Sequence, residues 1–179
     1  GTLTYVSKAD FSETDAYSSL STLYYTSTVT EKLSIVDWAI DKDTYPFIGG
    51  GLAPEFALRG ALAESWETPD DKTIVLHIRQ GVYWHDKAPM NGRELTAYDV
   101  EYTFHRYLGN YLTGTKFSAA EPSPSGRNTV ALPIESVTAT DKYTMVVKLK
   151  KPSLIGMKHL LGHGFGGGEV KTFPPEVIE

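Results

Sequence analysis

Apolar and polar residues alternate most cleanly at 73–79, where Ile74, Leu76 and Ile78 share one face and Thr73, His77 and Arg79 the other. A period of two marks a strand with one buried side. Just upstream, Trp66 sits in a short strand, and Pro69, Asp70, Asp71 and Lys72 have the composition of a turn, so the pattern predicts a hairpin. A second hairpin follows the same plan. Segments 134–140 and 143–149 flank Asp141 and Lys142, with Tyr143, Met145, Val147 and Leu149 on one face.

The period changes to that of a helix after Thr96. Thr96 and Asp99 form a capping-box-like start, and the acidic third residue also suits the helix dipole. Val100, Thr103, Phe104, Tyr107, Leu108 and Tyr111 then recur on one helical face. Leu20, Leu23, Tyr24 and Val29 give a weaker helical pattern over 17–33, diluted by Ser and Thr. Leu3 and Tyr5 mark a short N-terminal strand, and Ser153 caps a short helix through Leu161 that the glycine-rich run 162–168 ends. Residues 47–54 and 119–128 read as loops from their Gly, Pro and Ser content. Two hairpins, each followed by a helix, predict an α+β fold: a mixed, largely antiparallel sheet with flanking helices.

At 179 residues the chain holds one ordinary domain or two small ones. Its 41% hydrophobic and 22% charged residues are those of a globular protein. The net charge of −5 and the lack of a Lys/Arg cluster argue against a nucleic-acid partner. No apolar run is long enough for a transmembrane segment. With no cysteine, thiolate metal sites and cysteine nucleophiles are excluded. Lacking an initiator Met and ending at 174–179 without an obvious terminal element, the chain reads as a fragment.

Little in the sequence points to catalysis. His85 and Asp86 are adjacent, and neighbours on an extended strand point to opposite faces, whereas a metal needs three or four convergent ligands. His77, His105, His159 and His163 show no ligand spacing. The glycines of 162–168 follow an expected helix rather than a strand, which is the wrong context for a phosphate loop. No serine lies in a Gly-x-Ser-x-Gly elbow. The expectation is a protein that is not an enzyme, with no catalytic residue, no metal and no cofactor; a hydrolase built around His163 is a minor alternative.

The stretch 62–108 resembles the signature of the extracytoplasmic solute-binding proteins of peptide and nickel ABC importers, family 5. Leu62-Ala63-Glu64-Ser65-Trp66-Glu67 resembles the entry strand, and Asp70-Asp71-Lys72-Thr73 the turn after it. Leu76-His77-Ile78-Arg79-Gln80-Gly81-Val82, Trp84-His85-Asp86 and Leu95-Thr96-Ala97-Tyr98-Asp99-Val100 resemble the blocks that follow, and 134–152 the later hairpin. Lys87 stands where the family has glycine, and Met90 to Glu94 add length, so a longer surface loop is expected there. Arg79 is expected to pair with a carboxylate or chain terminus and hold the loop from Gly81 to Asp86.

The resemblance implies a periplasmic-binding-protein-like fold of type II, cluster C, in which two lobes enclose a ligand. Residues 1–19 would be a first-lobe strand and ligand-facing loop, 20–124 the family's extra subdomain, and 125–179 the return into the first lobe, with the second lobe missing. It implies the substrate-binding component of an ABC importer, which captures a small solute, most readily an oligopeptide, by domain closure and delivers it to a membrane permease. The location implied is extracytoplasmic, either periplasmic or anchored at the cell surface as a lipoprotein. Ala9, Asp10, Phe11 and Ser12 would face the ligand, where backbone groups bind an extended peptide as an added strand. Tyr111 and Phe165 would be apolar walls. The alternative on the same scaffold is a sensor or chaperone-like binding module without transport.

Overall fold

The computed structural model describes residues 30–46, 53–108, 134–153 and 171–178. The expected strand at 3–5, the helix over 153–161 and the glycine run 162–168 lie outside the described residues, apart from Ser153. So does most of the 17–33 pattern, whose last residues, 30–33, are not helical but lead into a strand.

Two strands open the described part: β1 (Ser34–Val36) and β2 (Leu58–Gly60), antiparallel, with Ile35 opposite Arg59. A single 3₁₀ turn, Glu55–Ala57, precedes β2. The chain then crosses directly into β3 (Ala63–Glu67). At that crossing Gly60 is required, because a Cβ there would fall on the carbonyl oxygens of Ala63 and Glu64. The main sheet adds β4 (Thr73–Ile78), β5 (Ile134–Ala139) and β6 (Thr144–Leu149), ordered β3-β4-β6-β5 and antiparallel throughout.

Both hairpins form where the alternation places them, and their turns share one device. Asp70 accepts the Lys72 N–H at 2.8 Å and the Thr73 hydroxyl at 3.0 Å; Asp141 accepts the Tyr143 N–H at 2.8 Å. Each aspartate thus satisfies backbone or side-chain donors that the tight turn leaves without a strand partner. The sheet arises because β4 pairs with β6, Leu76 opposite Met145 and Ile74 opposite Val147. Trp66, Leu76, Met145 and Ala139 thereby form one row across four strands. The same ladder joins 73–77 to 144–148.

Helix α1 (Ala97–Leu108) covers the apolar face through Ala97, Val100 and Phe104, against β5 and β6. Leu76, Met145, Val147 and Phe104 are wholly buried, each worth about 1.5–3 kcal/mol of hydrophobic stabilisation as an upper estimate. Trp66 packs on this core but stays half-buried, its indole reaching Glu55 at 3.4 Å. The edge strand β3 exposes Glu64 and Glu67, charges that discourage pairing with a foreign strand. A last short helix, α2 (Pro175–Ile178), docks beside α1.

Candidate functional site

Residues 79–96, between β4 and α1, fold back on themselves as two arms. Leu95 N–H donates to the Val82 carbonyl at 2.8 Å, Trp84 N–H donates to the Arg93 carbonyl at 3.0 Å, and Tyr83 bridges Glu94. At the tip Asn91 and Gly92 adopt left-handed backbone, with φ of 49° and 67°. That reversal lets Gly92 N–H reach the His85 carbonyl at 3.2 Å. The extra residues from Met90 to Glu94 therefore build a second arm that pairs with the first.

Two charged clusters fix this loop to the rest of the molecule. Glu94 accepts the Gly81 N–H at 2.9 Å, the Lys142 ammonium at 2.7 Å and the Tyr143 hydroxyl at 3.1 Å. The Lys142 ammonium and the Gly81 N–H hold the Glu94 carboxyl below the usual carboxylate range, and Glu94 raises Lys142 above the usual lysine value. Arg93 is the second hub. Its guanidinium spans Asp99, at 2.9 and 2.6 Å, and Glu176, at 2.7 Å with a second contact from Nε. The fork geometry of Arg suits such paired carboxylates. Glu176 is lowered by this contact and Arg93 raised by it.

Asp99 serves the helix start as well. It accepts the Thr96 N–H at 2.8 Å and the Thr96 hydroxyl at 3.2 Å. The capping box is thus one-sided, with Thr96 donating twice to a carboxylate that Arg93 holds in place. Thr103, one turn further on, takes the Phe173 N–H at 3.1 Å and pins the C-terminal segment to α1. Arg79 departs from expectation. Its Nε donates to the Ala61 carbonyl at 2.9 Å, because the Arg79 N–H pairs with Leu62 and places the side chain over the β2–β3 crossing. The loop is held by Arg93 and Glu94 instead.

These ties bring the loop and the segment 172–177 together around a pocket of about 380 Å³. Leu62, Val82, Trp84, Met90, Leu95 and Phe173 make its walls largely apolar. His85 stands at this pocket, whereas His77 pairs with Glu67 at 3.1 Å and His105 with the Val137 carbonyl at 3.0 Å. Among the described residues no group of three or more His, Asp or Glu is placed to hold a metal. Nor is any described helix long and apolar enough to cross a membrane. Ala9, Asp10, Phe11, Ser12, Tyr111 and Phe165, the residues expected to face a ligand, all lie outside the described residues.

A family model described as "Bacterial extracellular solute-binding proteins, family 5 Middle" matches residues 57–168, more than half of the chain. The chain belongs to the family 5 solute-binding proteins. Its sequence is similar to the dipeptide-binding protein of Escherichia coli (strain K12), 49% identical over 47 residues, which is 25% of this chain and 9% of that protein. The fold is similar to the oligopeptide-binding protein AppA from Bacillus subtilis in complex with a nonapeptide: TM-score 0.59, 19% identity, 88% of this chain and 24% of that one. It is also similar to the ABC transporter-associated periplasmic binding protein DppA from Helicobacter pylori in complex with the peptide STSA: TM-score 0.55, 22% identity, 84% of this chain and 26% of that one. The chain thus spans about a quarter of the length of these solved relatives. The α+β, largely antiparallel, periplasmic-binding-protein-like architecture is borne out, and the family is one of solute binders rather than enzymes.

Proposed function

We propose that this chain is part of the substrate-binding component of an ABC importer whose solute is an oligopeptide. The family match over 57–168 carries the reading. It is supported by two relatives of the same fold that were solved with peptides bound. In this reading the peptide lies between two lobes, and backbone groups of Ala9, Asp10, Phe11 and Ser12 bind it as an added strand, with Tyr111 and Phe165 as apolar walls. A ligand touching both lobes binds the closed form better than the open one, and that difference drives closure. The closed form then docks on a membrane permease outside the cytoplasm.

The rigid frame described above suits that task. Two charge clusters and one sheet hold the loop, α1 and the C-terminal segment in one geometry, so that closure moves whole bodies rather than single loops. Calorimetry on the protein as its natural gene encodes it, with a tetrapeptide and a nonapeptide library against an oligosaccharide panel, tests the proposal. Saturable one-to-one peptide binding is expected. Binding only to unfolded chains, or to no peptide at all, would overturn it.

A further inference from the structure

The tip of the 79–96 loop reverses through Met90-Asn91-Gly92-Arg93, closed by Arg93 N–H donating to the Met90 carbonyl at 3.1 Å. Asn91 and Gly92 are its central residues, and both are left-handed, as a type I′ turn requires. Asn followed by Gly suits that backbone best. The same pair is chemically labile. Asparagine is a thermolabile residue, and the glycine after it has no side chain to shield its nitrogen from the Asn91 carboxamide. Asn91 is also exposed. Two hydrogen bonds restrain the reacting groups: Gly92 N–H donates to the His85 carbonyl at 3.2 Å, and Asn91 Nδ2 donates to the Pro89 carbonyl at 3.0 Å. The Asp86 carboxylate lies against Gly92, 3.4 Å from the place a Cβ would take.

We propose that Asn91 is a self-modification site: the loop tip deamidates when it opens, and the product then holds it open. The Gly92 amide nitrogen loses its proton and attacks Asn91 Cγ. The new C–N bond closes a cyclic imide, and Nδ2 leaves as ammonia with that proton. Water opens the ring at either carbonyl, leaving aspartate or isoaspartate at position 91. Water enters, ammonia leaves, and nothing is oxidised or reduced. Both products undo the tip. The amide that donated to Pro89 becomes a carboxylate, which repels that carbonyl and brings a second negative charge to the tip beside Asp86. Isoaspartate also inserts a methylene into the main chain ahead of the Gly92 nitrogen, so Gly92 N–H leaves the His85 carbonyl. The site uses none of the residues assigned above to the transported peptide, so it stands or falls independently of the importer reading.

In the test, the folded protein and the same protein in urea are held at mildly alkaline pH until the unfolded chain has reacted. The tryptic fragment 88–93, released after Lys87 and Arg93, is weighed at intervals. Because both hydrogen bonds must break first, conversion is expected to be about tenfold slower in the folded protein than in urea. Isoaspartate, counted by enzymatic methyl transfer, is expected among the products of both. Equal rates would overturn the gating by the tip. No conversion in the folded protein would overturn the site. Asn91→Gly keeps the left-handed turn without a carboxamide, and its fragment is expected to gain no mass. Asn91→Asp mimics one product, and amide hydrogen exchange at Gly92 and Trp84 is expected to quicken about tenfold in it. Unchanged exchange there would overturn the claim that the product holds the tip open.

Discussion

Replacing Arg93 with Met keeps the unbranched apolar stem of the side chain and removes the guanidinium that joins Asp99 to Glu176. Asp99 is 3% exposed and loses its only ionic partner among the described residues, keeping the Thr96 N–H and hydroxyl. Stripping one partner from a fully buried pair costs about 3–5 kcal/mol. Arg93 itself is a third exposed, at 33%, so solvent screens part of that, and about 2–3 kcal/mol is expected at Asp99. The half-exposed Glu176 contact adds at most about 1 kcal/mol. Urea unfolding followed by tryptophan fluorescence reads the sum, and at about 2–4 °C per kcal/mol the thermal midpoint is expected to fall by about 4–16 °C. Asp99→Asn in the Arg93→Met background is expected to recover part of the loss, since the charge left unpaired is then gone. A single variant within about 0.5 kcal/mol of wild type would refute the view that this hub holds the loop, α1 and the C-terminal segment together.

Leu76→Ala, at a wholly buried position facing Met145 and Trp66, is expected to destabilise by about 2–5 kcal/mol, measured by the same unfolding curve; a change under 1 kcal/mol would mean the row across the sheet is not packed. Gly60→Ala places a methyl against the Ala63 and Glu64 backbone, with the Glu64 carbonyl carbon 2.9 Å away, and is expected to cost about 1–3 kcal/mol or more, whereas an unchanged midpoint would show that β2 need not cross so closely over β3. Acid is expected to weaken the fold. Glu94 and Glu176, whose ordinary value is 4.5, and Asp70 and Asp141, at 3.8, are all held lower when folded. As pH falls the unfolded chain therefore takes up their protons first. Their contribution is whole above those ordinary values and is lost as pH drops through the lower folded ones. Urea midpoints at pH 7 and pH 3 should differ in that direction, and a smaller difference is expected for Glu176→Gln; an acid-insensitive midpoint would contradict the assignment.

The pattern of residues was enough to place both hairpins and α1. In β4 and β6 the alternation of Ile74, Leu76 and Ile78, and of Met145, Val147 and Leu149, is a property of neighbours in the chain, and so is the Asp that opens each turn. The start of α1 was legible for the same reason, since Thr96 and Asp99 are three residues apart. The family likeness lay in the same local blocks, and the match over 57–168 falls where those blocks are. The short strands β1 and β2 left no such trace, because three residues are too few to show a period.

What local order does not carry is which elements meet. That β4 pairs with β6 depends on two apolar faces being buried together beneath α1, an energy no single segment possesses. Arg93 and Glu176 are 83 residues apart, and Glu94 and Lys142 are 48 apart, so their ion pairs exist only after the chain has closed. Arg79 looked like the charged anchor of the loop, yet register turned it toward the Ala61 carbonyl and left that task to Arg93 and Glu94. The pocket, too, is assembled from 30–31, 62, 82–95 and 172–177. Secondary structure here follows from short-range periodicity; the site follows from long-range contacts, whose free energy appears only when distant segments exclude water together.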